Sequence, residues 1–144
     1  MTDGSLMTDA MITHAITRMY RLLFREEFNQ GLTVLEFDSL TKGPMRCATR
    51  LAKAYIHDHG HMDTDERMLI IGAATHLASS VYGLEEEWGG DVHENDWLQL
   101  LGLNPDSITR KQFVKYQYAL LEGEGADICR EEIERHERES RSFE

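Results

Sequence analysis

At 144 residues, with 41% apolar and 28% charged positions, the chain has the size and balance of one folded domain; such chains bury roughly 68–70% of their unfolded surface, which excludes a disordered polymer. No run approaches ~18 consecutive apolar residues, the N-terminal stretch carries Asp3, Asp9 and His14, and Cys47 and Cys129 stand far apart, so a membrane span, a secretory leader, a disulfide framework and a zinc knuckle are not expected. The net charge is −11 and unevenly held: up to Leu84 there are 10 acids against 8 Lys/Arg, beyond it 16 against 7, and an acidic second half repels phosphate backbones, arguing against direct nucleic-acid binding there.

With only Pro44 and Pro105 and little β-branched alternation, the pattern is helical throughout. A first helix is predicted from Thr8 or Asp9 to about Asn29, because Ile12, Ala15, Ile16, Met19, Tyr20, Leu23 and Phe24 recur at helical spacing and Gly31 stops the run. In residues 32–42, Thr33 with Glu36 makes a capping box for a short helix ended by Gly43; the alternative, a strand over "LTVLEF", would have no partner. A third helix is expected to open at Pro44 and end at Gly60. A fourth, capped by Asp63 or Thr64 and reaching about Glu87, is apolar on nearly every side and rich in Gly72, Ala73, Ala74, Ala78, Ser79 and Ser80, so it should be the buried central helix.

Beyond the "WGGDVHEN" loop, Asn95 is expected to cap a short helix carrying Trp97, Leu98, Leu100 and Leu101. Thr109 with Gln112 offers a capping box for the next helix, which reaches Leu121. "EGEGAD" reads as a hinge, and the last segment has few apolar positions, chiefly Ile128, Cys129 and Ile133, on a helix of alternating charge. Such a helix is a solvated arm or half of an interface with another copy. The predicted fold is therefore all-α: one bundle of five to seven helices around a buried central helix, a core domain over 1–122 in which 1–7 are expected to be flexible, and a charged helical arm over 123–144.

"YIHDHGHMDTDE" poses the chemical question, since His57, His59 and His61 run into Asp58, Asp63, Asp65 and Glu66. At about 100° per residue, His59 falls near the middle of the apolar face formed by Ala48, Leu51, Ala52, Tyr55 and Ile56 and points inward, while His57 falls with Arg46, Arg50 and Lys53 on the opposite, outward one. Two helix ends account for the whole set: imidazoles meet free carbonyls at one terminus and carboxylates favour the next N-terminus. A loop in which His59, His61, Asp63 and Asp65 converge would instead suit zinc or iron. "IHDHG" also resembles the His-Asp step of the HD-family metal-dependent phosphohydrolases, an all-helical family. That resemblance implies a divalent metal on His14, His57, Asp58 and a later aspartate, Asp91 or Asp96, with Arg18, Arg21, Arg50 and Lys53 gripping phosphate.

Two basic stripes stand out in this acidic chain. His14, Arg18, Arg21 and Arg25 share one face of the first helix at spacings of four, three and four, and Arg46, Arg50, Lys53 and His57 share one face of the third. Side by side they would hold phosphate or an acidic surface; otherwise they are solvent faces, or they meet the acidic C-terminal half of the same or a second copy. Glu85, Glu86, Glu87, Asp91, Glu94 and Asp96 surround Trp88 in an acidic loop suited to protein contact. His76 is expected to be a core histidine, and no phosphate loop, dinucleotide fingerprint or nucleophile elbow is present.

The expectation is a non-enzymatic cytoplasmic protein without a cofactor, in the style of small inhibitors encoded by phages and mobile elements. It would act by mimicry, laying its acidic half over a basic protein surface that normally holds nucleic acid, with homodimerisation possible. The alternatives are the HD-type phosphohydrolase and an adaptor subunit of an assembly.

Overall fold

Helices form wherever the apolar spacing calls for them. In the computed structural model, which describes residues 9–59, 62–84, 94–104 and 106–141, the chain order is α1 (Asp9–Leu23), α2 (Arg25–Asn29), α3 (Val34–His59), α4 (Thr64–Val81), α5 (Glu94–Leu100), α6 (Ser107–Leu120) and α7 (Glu124–Arg141). Among the described residues there is no strand, and no helix is long and apolar enough to cross a membrane. The protein is an all-α single domain built around α4, which packs against α3, α6, α1, α7 and α5.

The predicted first helix is nearly continuous. Phe24 interrupts α1 and α2 for one residue, yet its N–H still donates to Tyr20 and its carbonyl still accepts from Phe28. Ile12, Ile16, Met19 and Tyr20 face inward; Tyr20 carries its hydroxyl to Ser79 Oγ at 3.0 Å, so the one polar atom on this face is satisfied inside the core.

The largest departure from expectation lies in α3. Two helices split by Gly43-Pro44 were expected; one unbroken helix of 26 residues is found, with Pro44 inside it. The Thr33–Glu36 capping box does open it, Glu36 N–H donating to Thr33 Oγ1 at 3.1 Å and Thr33 N–H to Glu36 Oε1 at 3.0 Å. Gly43 is no stop signal. A Cβ there would lie 2.4 Å from Tyr82 Cε1, so the missing side chain lets the Tyr82 ring rest on the helix. Pro44 is buried and removes the donor that would have met the Leu40 carbonyl; tertiary packing on both faces holds the helix through that loss.

Asp63 caps α4, accepting from Glu66 N–H at 2.8 Å. The helix buries Leu69 through Thr75, then Ala78 and Ser79, and ends at Val81, short of the expected Glu87, where Gly83 takes φ +71°. Its small residues serve close approach as expected: a Cβ on Gly72 would meet Leu101 at 2.5 Å. Two further caps move by a few residues. α5 already includes Asn95, and α6 is capped by Asp106, whose carboxylate accepts from Thr109 N–H at 2.8 Å, so Thr109 lies inside the helix. The expected hinge is a tight turn, Gly123 at φ +56°, from which α7 starts at Glu124 and lies along α3.

Candidate functional site: a buried carboxylate and an acidic helix flank

The two cationic stripes part company in three dimensions. On α1 and α2, His14, Arg18, Arg21 and Arg25 are exposed and hold no ion-pair partner among the described residues. On α3, Arg46 and Arg50 do not face outward as predicted. They turn to Glu132 of α7, whose side chain is 1% exposed beside theirs at 29% and 36%.

Glu132 is held by three side chains, two from α3 and one from the C-terminal end of α4. Arg46 Nη2 donates to Oε1 at 3.0 Å and its Nε straddles both oxygens at 3.3 Å. Arg50 Nη1 donates to Oε2 at 2.7 Å. The Tyr82 hydroxyl donates to Oε1 at 2.6 Å while accepting from Arg46 Nη2 at 2.7 Å, so the three side chains form a closed circuit. Burial pushes the Glu132 carboxyl upward; the hydrogen bonds from Arg46, Tyr82 and Arg50 outweigh it and hold the group below the ordinary glutamate value. Burial first, then the bond to Glu132, drives the Tyr82 phenol up. Beside the cluster, Cys47 is pushed to about 12 by burial and then by the charge of Glu132; a thiol so raised is a poor nucleophile.

A groove of about 770 Å³ runs between α1, α3 and α7, with Thr13, Arg50, Lys53 and His57 on one wall and Glu124, Asp127 and Glu131 on the other. The cations in it are already engaged: Arg50 also meets Glu131 at 3.1 Å, Lys53 Nζ lies 3.0 Å from Asp9, and His57 Nε2 lies 3.5 Å from the same carboxylate. None of His14, Arg18, Arg21 and Arg25 lines the groove, so the two stripes do not join into the single phosphate-gripping patch considered from sequence.

The acidic wall continues along α7. Glu124, Asp127, Glu131 and Glu134 are exposed at spacings of three, four and three, which places them within an arc of roughly 80° over about 15 Å of helix. Glu124 also lines a second cavity of about 530 Å³, between the ends of α3 and α6, together with Asp58, His59, Tyr55 and Glu122. A carboxylate track thus leads from the α6–α7 turn along the outer flank of α7.

The histidine-rich segment behaves as two helix ends. His59 Nδ1 lies 2.9 Å from the Tyr55 carbonyl, in the last turn of α3, with its ring stacked on Tyr55 at 3.8 Å. It is exposed, where an inward position was expected, because stacking on the rim of the apolar face needs no burial. His57 faces the α1–α3–α7 groove and Asp58 the other cavity, and among the described residues no group of three or more His, Cys, Asp or Glu could hold a metal ion. His61, Asp91 and the acidic loop Glu85, Glu86, Glu87 and Trp88 lie outside the described residues, as do the side chains of Glu94 and Asp96. His76 packs edge-to-face with Trp97 at 5.2 Å and Phe113 at 6.2 Å, as a core histidine does.

Sequence reasoning passed over Glu132, counting it among the charges of a solvated helix. The signal was present: Gly125, Ile128, Cys129 and Glu132 recur at helical spacing, and all four are buried, whereas Ile133 is 42% exposed. Fold and cluster together define an α-helical bundle whose acidic C-terminal helix is pinned to its body by one buried carboxylate. No protein-family model, no curated protein and no solved structure matches the chain.

Proposed function

We propose that this protein is a non-enzymatic binding protein that docks through the outer flank of α7 onto a basic protein surface, covering a site that otherwise holds nucleic acid. The observation that carries the proposal is the exposed row Glu124, Asp127, Glu131 and Glu134, mounted on a helix that the Arg46–Arg50–Tyr82–Glu132 circuit fixes to the bundle. Fixed, pre-arranged charge loses little ordering entropy on association, and an acidic row steers a basic partner over a Debye length of about 8 Å at physiological salt. The total charge of −11 adds to that steering.

Capture from lysate of the source organism tests the proposal, comparing wild type with a variant carrying Glu124→Lys, Asp127→Lys and Glu134→Lys. Wild type should retain a basic nucleic-acid-binding protein, release it as salt rises, and compete with that protein's nucleic acid; the variant should retain none. Capture that ignores salt and the three reversals would overturn it.

A further inference from the structure

The cations on α1 and at the start of α2 have no use inside the bundle. Arg46, Arg50, Lys53 and His57 all meet carboxylates, whereas His14, Arg18, Arg21 and Arg25 stand exposed without an ion-pair partner among the described residues. No acid occurs between Asp9 and Glu26, so nothing on this helix face offsets them. The four span an arc of roughly 60° and about 16 Å along the axis. The carboxylate row of α7 has nearly that length and repeat.

We infer that the α1 ridge is a self-association surface, and that its occupant is the α7 row of a second copy. Charge spacing selects the occupant. Duplex DNA and another copy both approach against the chain's net charge of −11, but the copy presents at the point of contact a carboxylate row whose spacing and length match the ridge, where DNA presents only its own fixed phosphate repeat. A two-fold axis that lays α1 of one copy on α7 of the other repeats the contact in reverse, a closed isologous pair. In antiparallel register, Arg25, Arg21, Arg18 and His14 fall opposite Glu124, Asp127, Glu131 and Glu134. The row is also the surface proposed for a basic partner, so the pair is a stored form that such a partner displaces. This inference rests on the row's exposure and not on that partner's existence.

Sedimentation velocity of the full chain at low and high salt tests it. Wild type should associate at low salt and weaken about tenfold or more as salt rises from about 0.05 to 0.5 M. A variant with His14→Glu and Arg25→Glu should be monomeric, and so should one with Glu124→Lys and Glu134→Lys. Mixed in equal amounts, the two variants should pair again, since each then meets an opposite charge at both contacts. Lys111→Glu with Lys115→Glu, at exposed cations on α6, should leave association intact and shows whether the effect belongs to α1. A monomeric wild type, variants that still associate, no rescue on mixing, or uptake of duplex DNA by the ridge in place of the second copy would each overturn the inference. The lysate capture is read separately, so loss of pairing with retained capture removes only the self-association.

Discussion

Glu132 sets an asymmetry that single substitutions expose. Removing a cation leaves the carboxylate buried and under-compensated, whereas removing the carboxylate leaves two guanidinium groups that already reach water, at 29% and 36% exposure. Arg46→Ala should therefore cost about 3–5 kcal/mol, and Glu132→Gln, which keeps one acceptor oxygen, only about 1–3 kcal/mol. Urea unfolding midpoints at neutral pH measure both, and an equal loss would mean that Glu132 is less committed than its geometry indicates. The pH dependence follows from the direction of the shift. A carboxyl held below its unfolded value of about 4.3 stabilises the fold fully above that value, and the contribution drains away as pH falls through the lower folded value. Wild-type stability should thus fall below about pH 4 with a slope that Glu132→Gln reduces.

Glycines decide how the elements meet, and two of them do so by having no side chain. At Gly125, in the first turn of α7, a Cβ would lie 1.7 Å from the Leu120 carbonyl oxygen, a backbone atom that cannot swing aside. Gly125→Ala should force α7 away from the end of α6, cost at least about 3 kcal/mol, and release the Glu132 contacts; faster exchange of α7 amides with solvent checks it. Gly43→Ala sets two terms against each other. Alanine gains about 0.5–1 kcal/mol of helix preference, but its methyl group strikes the Tyr82 ring at 2.4 Å and disturbs the phenol that donates to Glu132, an overpacking cost of about 1–3 kcal/mol. The net effect should be destabilising, read as a lower thermal midpoint.

These glycines also show how far the sequence could be read. Helix periodicity located the buried faces of α1 and of the C-terminal half of α3, and apolarity on nearly every side marked α4 as buried, because burial there is local in register and needs no knowledge of neighbours. Gly43-Pro44 looked like a boundary because local rules treat it as one; only the Tyr82 ring, thirty-nine residues away in the chain, explains why the helix runs through. Charge failed as a guide for the same reason. The Arg46–Arg50 stripe read either as a solvent face or as meeting the acidic C-terminal half, and nothing local chose between the two or singled out Glu132, because pairing over 86 residues of separation is a tertiary fact.

At the scale of the molecule, two electrostatic effects respond to salt in opposite directions. A chain of net charge −11 repels itself, and screening should relieve that repulsion. The exposed pairs Arg50–Glu131 and Lys53–Asp9 weaken under the same screening, but each is worth only ~0–1 kcal/mol, and the buried Glu132 circuit is screened least. Relief should win. Raising ionic strength from about 0.02 to 0.2 M should stabilise the fold by about 1 kcal/mol, a rise of about 3 °C in thermal midpoint, while binding through the α7 row weakens over the same range. Thermal melts and binding isotherms in one salt series separate the two. A fold that loses stability with salt would place its main support in the surface pairs, and the rigid mounting of the row would then have to come from packing of Ile128 and Cys129 against α3 and not from Glu132.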